Sequence, residues 1–214
     1  MKNLLYKEFR LAIHPLFYPL LVLFGALLMI PQWVFFLALM YFFFITAPNI
    51  FTMGKAQNDI EFSVTLPVRK RDVVKARVMS VTLIGLMQIL IAAVFAVLHM
   101  AVYKTVDNFL LDPNIAFFGF SLVMYALFNV LFFPMFYKTG DKVGIPIVAG
   151  IIVTLLFAAG VEFAILYIPA LQILDGMGHM GAQLWVLAGG IVLFVLLNIA
   201  AYRISARRFE RIDL

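Results

Sequence analysis

The sequence predicts an all-α, polytopic membrane protein, and three observations carry that prediction. Hydrophobic residues make up 65% of the 214-residue chain and charged residues 13%, with a mean hydropathy of +1.06. Soluble domains run nearer to half apolar and a quarter charged. The apolar residues also gather into six runs close to the length of about 20 residues that a helix needs to cross hydrocarbon. Finally, fifteen of the sixteen Lys and Arg residues fall in segments that alternate with those runs on one side only. Helices are the form such runs take in lipid, because each backbone polar group must find its partner within the segment. No internal repeat and no Ser-, Gly- or Pro-rich linker divides the chain, so residues 1–214 read as a single membrane domain.

The elements follow in order. Residues 1–14 are too polar for the apolar core of a signal peptide, and no small-residue cleavage site follows the first apolar run. Leu5, Phe9 and Ile13 recur at helical spacing with Lys2, Lys7, Arg10 and His14 on other faces. That pattern predicts an amphipathic helix lying in the membrane interface, basic face toward the headgroups. Six spans come next: Leu16–Ile30, Trp33–Met53, Val78–Tyr103, Ile115–Tyr137, Gly144–Ile168 and Leu184–Ile204. Pro31 and Gln32 leave room only for a tight turn between the first two. Residues 55–77, between the second and third spans, form a charged insert.

Placement of charge sets the orientation. Lys and Arg occupy the N-terminal segment, the insert, the loop after the fourth span (Lys138, Lys142) and the tail (Arg203, Arg207, Arg208, Arg211), whereas Lys104 alone falls opposite. The positive-inside rule then predicts both termini and the insert on the cytoplasmic side. The net charge of +5 and pI near 9.5 therefore encode topology, and nucleic acid is not the expected partner.

Within the insert, Lys55 to Leu66 reads as a short amphipathic helix. Ala56, Ile60 and Val64 share one face, Phe62 and Leu66 pair four apart, and Gln57, Asn58, Asp59 and Glu61 supply polar groups. Pro67 cannot continue it, since proline lacks the N–H and crowds the preceding turn. A second helix leads through Val73 and Val74 into the third span, with Asp72 in its first turn, where the helix dipole favours an anion. A solvated loop that only enforces topology is one reading of the insert. The apolar residues rimmed by polar ones favour the other, a docking surface for a cytoplasmic partner.

A short cytoplasmic helix between the second and third spans, ending in TLPVRKRDVVKAR, resembles the coupling helix of the six-helix permeases of type-2 ABC transporters. Leu66, Pro67, Val68, Lys70 and Asp72 fit the family pattern, while Arg69 stands where a capping Ser is common, so the following helix loses its usual side-chain acceptor. The resemblance extends in topology over the whole chain. It implies a separate ATPase subunit docked on the insert, with Asp59, Ile60, Glu61 and Phe62 as docking residues and Arg69, Lys70 and Asp72 as connector. It implies no cofactor in this chain, with ATP and magnesium on the partner, and a second copy or paralogue completing the pathway. It also implies a place in the bacterial plasma membrane, export as the direction of transport, amphipathic peptides or bacteriocins as cargo, and a short re-entrant segment within residues 169–183.

The sequence contains no phosphate-binding motif of its own, because Gly54-Lys55 lacks the upstream glycine and the hydroxyl. There is no cysteine, and no zinc-protease or serine-hydrolase motif. His179 and Asp175 fall short of the three or four ligands a metal site needs. An ion-coupled secondary transporter is the alternative, but it calls for repeats or several intramembrane ionisable groups. A peptide-immunity protein that binds without transporting is another alternative that the residues leave open.

Glu162 is the one acid well inside an apolar span, and a buried carboxyl costs several kcal/mol unless it is used or satisfied. It lines a translocation path, or it is a protonated or hydrogen-bonded carboxyl at a helix interface, or it snorkels to the outer surface. Pro48 and Pro134 within spans permit bending. Gly160 and Ala164 form a small-xxx-small pair. The 23 Phe and 11 Met either pack the interior and face lipid or line an adaptable apolar passage.

Overall fold

In the computed structural model the described residues are 2–65, 67–103, 108–139, 142–176 and 178–211, with the backbone alone for Lys2, Leu11, Ala12, Ile60, Glu61 and Val64. Helix α1 is α-helical over Lys2–Lys7 and passes into a π turn over Glu8–Ala12. Helix α2 spans Phe17–Met29 and α3 spans Phe35–Ala56. The short α4 (Asp59–Thr65) precedes α5 (Lys70–Val102), α6 (Ile115–Thr139) and α7 (Gly144–Tyr167). A 3-10 turn at Gln172–Leu174 leads to α8 (Met180–Glu210).

Five of these helices, α3 and α5 to α8, are long and apolar enough to cross a membrane. The sixth expected span is shorter than the sequence predicts. Its ten α-helical residues and three-residue 3-10 turn reach about 20 Å, against about 30 Å of hydrocarbon. The chain nevertheless runs between the two ends of the molecule six times. α1 sits against the start of α5, through Glu8 and Arg77. α2 then climbs along α5, its Gly25 against Ile91 and Phe95, until the Gln32 amide donates to Asn108 Oδ1 at 2.9 Å at the opposite end. α3 returns, from the Phe35 ring against His99 to the Phe51 ring against Arg77. α6 descends beside it, Phe117 near Phe35 and Phe136 near Phe51. α7 climbs to Glu162 beside Leu111, and α8 descends to Glu210 beside Arg71. N-terminal helix, insert and chain end thus share one end of the molecule.

The insert is divided differently from the sequence reading. Lys55 and Ala56 belong to α3, and the break falls at Asn58, which holds φ +51°. Asparagine tolerates that left-handed conformation better than most residues, so the chain turns there and α4 opens at Asp59. Leu66 lies outside the described residues. Arg69 is the N-cap of α5 and makes no side-chain cap bond, as its replacement of Ser implies, and Asp72 lies in the first turn.

Packing explains the phenylalanines. Phe35, Phe36, Phe42, Phe43, Phe117, Phe128, Phe132 and Phe133 are buried in one cluster between α3 and α6. Phe43 stacks on Phe128 at 4.5 Å and Phe51 meets Phe132 at 4.5 Å. A π turn at Phe42–Thr46 widens α3 just ahead of Pro48, which relieves the crowding that a proline ring brings to the preceding turn. α6 and α8 come into backbone contact at Gly119 and Gly190. A Cβ on Gly119 would meet the Val186 carbonyl at 2.8 Å and the Leu187 backbone at 2.9 Å. The small pair expected to join helices, Gly160 and Ala164, does not do so within this chain: a Cβ on Gly160 would meet open space.

Candidate functional site: a buried charge cluster beneath the insert

Three elements bring four charged side chains together under α4. Lys7 comes from α1, Glu8 from the turn that follows it, Asp59 from the first position of α4 and Arg77 from the third turn of α5. Lys7 Nζ lies 2.5 Å from Asp59 Oδ1 and 3.6 Å from Glu8 Oε1. Arg77 Nε lies 2.6 Å from Glu8 Oε2, and Arg77 Nη2 donates to Asp59 Oδ2. Lys7 also donates to Ser63 Oγ at 2.6 Å, and that hydroxyl donates to the Asp59 carbonyl at 2.6 Å.

The side chains of Arg77 and Glu8 are 7% and 3% exposed. Two cations and two anions make the cluster neutral, which is what allows it to be buried at all. The Arg77 guanidinium sits 5.6 Å from the centre of the Phe51 ring, a cation–π contact in a dry setting. Gly54 packs beside it, and a Cβ there would be in ordinary contact with Nη1 at 3.4 Å. Burial pushes the Glu8 carboxyl above the ordinary value, against the pull of Arg77 and Lys7.

The expected docking residues divide into two groups. Asp59 turns inward to Lys7 and Arg77. Phe62 points away from the cluster and is 55% exposed. The side chains of Ile60 and Glu61 lie outside the described residues. In the connector, Arg69 is exposed, Lys70 lies 5.9 Å from the centre of the Phe209 ring, and Asp72 is half-buried. Pro67 and Val68 are exposed beside Phe62 in sequence. Lys7, Glu8 and Arg77 were not legible as a site. The available signal was Arg77 itself, a cation directly abutting the uncharged, mostly apolar span from Val78, and Glu8, the one acid in a basic amphipathic segment.

A second polar group lies mid-span. Asn129 of α6 donates to Asn198 Oδ1 of α8 at 2.8 Å and to Thr82 Oγ1 of α5 at 3.3 Å, and Thr82 donates to Asn198 Oδ1 at 3.0 Å. Sequence reasoning passed over these uncharged residues. Glu162 lies at the far end, buried, its Oε2 accepting the Leu111 amide at 3.0 Å. Nearby, Asp175 accepts the Asp112 amide at 3.0 Å. Asn114 and Gln183 both donate to the carbonyls of Leu174 and Gly176. The Asp112 and Asn114 bonds join the segment after α5 to the loop between α7 and α8, and Gln183 ties that loop to the start of α8.

Among the described residues the fold is an all-helical bundle with five helices long and apolar enough to cross a membrane and a short helix held beneath one end, which defines a multi-pass membrane protein. Residues 3–210 match the family described as ABC-2 family transporter protein, and the chain belongs to that family. It is a transmembrane component of an ABC-2 transporter, typically a non-catalytic subunit, and membership implies a partner ATPase. No curated protein and no solved structure matches the chain.

Proposed function

We propose that the chain is the permease of an ATP-driven exporter that moves amphipathic peptides or other amphiphiles out of a bacterial cell. Six helices cross the plasma membrane, both termini and α4 face the cytoplasm, and two copies, or this chain and a paralogue, frame the pathway. A separate ATPase subunit, which holds ATP and magnesium, seats on α4 as the coupling helix.

The observation that carries this reading is the two-sidedness of α4. Its inner side is fixed by Asp59 and Ser63 to Lys7 and Arg77, while Phe62 stands 55% exposed on the outside. An exposed aromatic on a short, firmly seated helix is an anchor for a protein pocket. Phe62, Ile60 and Glu61 make the contact, Asp59 holds the helix from within, and Arg69, Lys70 and Asp72 pass the movement to α5. ATP-driven closure needs only to bias two conformations of the bundle. At the far end, Glu162 is the candidate for the translocation path: its Oε1 is buried with no hydrogen-bond partner among the described residues, so a cationic stretch of cargo reaches it only if the surrounding helices part.

The test is co-purification with the cytoplasmic ATPases of the host, wild type beside Phe62→Asp. Wild type should retain an ATPase, and the variant should lose at least tenfold of it, the scale of a central aromatic contact. A folded, abundant wild type that retains no ATPase would overturn the proposal.

A further inference from the structure

A groove of about 330 Å³ runs along the surface between α5 and α8 at the basic end of the molecule. Lys75 and Tyr202 stand at its mouth, and Met79, Leu83, Phe194 and Ile199 line its depth. From Lys75 to Leu83 it is about 12 Å long at the helical rise. Its width is set by fixed contacts. Beyond the mouth, Arg71 Nη2 donates to Glu210 Oε2 at 2.9 Å, tying the start of α5 to the end of α8. On the floor, Thr82 and Asn198 bond to each other and to Asn129.

The chemistry of the two ends differs. The polar floor atoms spend their hydrogen bonds on one another, Asn198 Nδ2 on the Phe194 carbonyl, so the deep end offers an occupant apolar surface. Lys75 is exposed and makes no ion pair among the described residues. Its amine is therefore open to an anion at the mouth of an apolar slot. We propose that the groove binds an anionic phospholipid, one acyl chain between α5 and α8 and the phosphate on Lys75. Acyl chain against acyl chain gives no preference in a bilayer. Selectivity comes from the charge, and basic sites between transmembrane helices are where anionic headgroups collect. The lipid would wedge the α5–α8 pair at the end where α5 joins the insert, so the composition of the leaflet would bear on how that pair moves. This inference does not depend on the ATPase partner.

Native mass spectrometry of the purified chain, released from vesicles of equal phosphatidylglycerol and phosphatidylcholine, tests it. Wild type should carry phosphatidylglycerol over phosphatidylcholine by about fivefold, the selectivity of a single lysine at an anionic surface. Lys75→Gln should remove that preference, lowering phosphatidylglycerol adducts to the level of phosphatidylcholine. Leu83→Trp, which fills the deep end, should reduce both. Equal retention of the two lipids by wild type, or an unchanged preference in Lys75→Gln, would refute the proposal. So would a dimer that Leu83→Trp dissociates, because the groove would then be a protein interface. Lys75 is exposed, so its variant keeps the assay decisive even if Leu83→Trp fails to fold.

Discussion

Replacing Arg77 by Met keeps the length and apolar stem of the side chain and deletes its charge. Two carboxylates, Glu8 and Asp59, then remain in a nearly dry site with only Lys7 between them. Removing one partner of a buried ion pair costs about 3–5 kcal/mol. The lower end of that range applies. Lys7 stays on Asp59, and Glu8, already pushed up by burial, takes a proton more readily than an exposed acid. About 3 kcal/mol is roughly a hundredfold in the equilibrium between docked and undocked α4. The chain has no cysteine, so Ser63→Cys gives a single reporter on the buried side of α4. Its maleimide labelling should accelerate by roughly a hundredfold in the Arg77→Met background, with the transmembrane bundle intact. An unchanged rate would mean that apolar packing, and not these charges, holds α4 in place.

Two further expectations come from other parts of the fold. Gly119→Val drives a side chain into the backbone of α8 and should lower the melting temperature in detergent by several degrees, or prevent assembly. Gly160→Val, facing open space, should leave it within a degree or two, and equal losses would remove the basis for the α6–α8 contact. For Glu8 the sign is set by a raised carboxyl. Its contribution to stability is complete below the ordinary value of 4.5 and is lost as pH rises through the higher folded value. Stability measured across that window should fall with rising pH more steeply in wild type than in Glu8→Gln, and parallel curves would exclude Glu8 as the titrating group.

The apolar runs and the distribution of Lys and Arg were enough to read the helical membrane class, because both follow from the bilayer as solvent. Helix ends were less legible. The helix leading into the third span, with Asp72 in its first turn, was legible, but α8 extends to Glu210, past the expected end at Ile204, because a helix continues out of hydrocarbon wherever its neighbours support it. The turn at Asn58 depends on one positive φ, which a run of polar residues does not announce. Asp59 shows the limit most clearly. The family resemblance implied a docking role for it, and in the fold its carboxylate faces inward, because Lys7 and Arg77, distant in sequence, are neutral only with Glu8 and Asp59 beside them. The Asn129–Thr82–Asn198 group was hidden for the same reason: each residue alone is a tolerable polar side chain in a span, and only the fold makes them partners.

The shortness of α2 bears on how the chain enters the membrane. A segment reaching about 20 Å is a poor candidate to partition alone into hydrocarbon about 30 Å thick. The turn to α3 is abrupt, with Gln32 at φ +58°, and the two helices pack against each other, Phe24 stacked on Tyr41 at 5.3 Å. During synthesis, α2 therefore has its natural insertion partner immediately behind it. The expected consequence is that the pair partitions as a hairpin, with commitment to the membrane falling when α3 emerges rather than at the first apolar run.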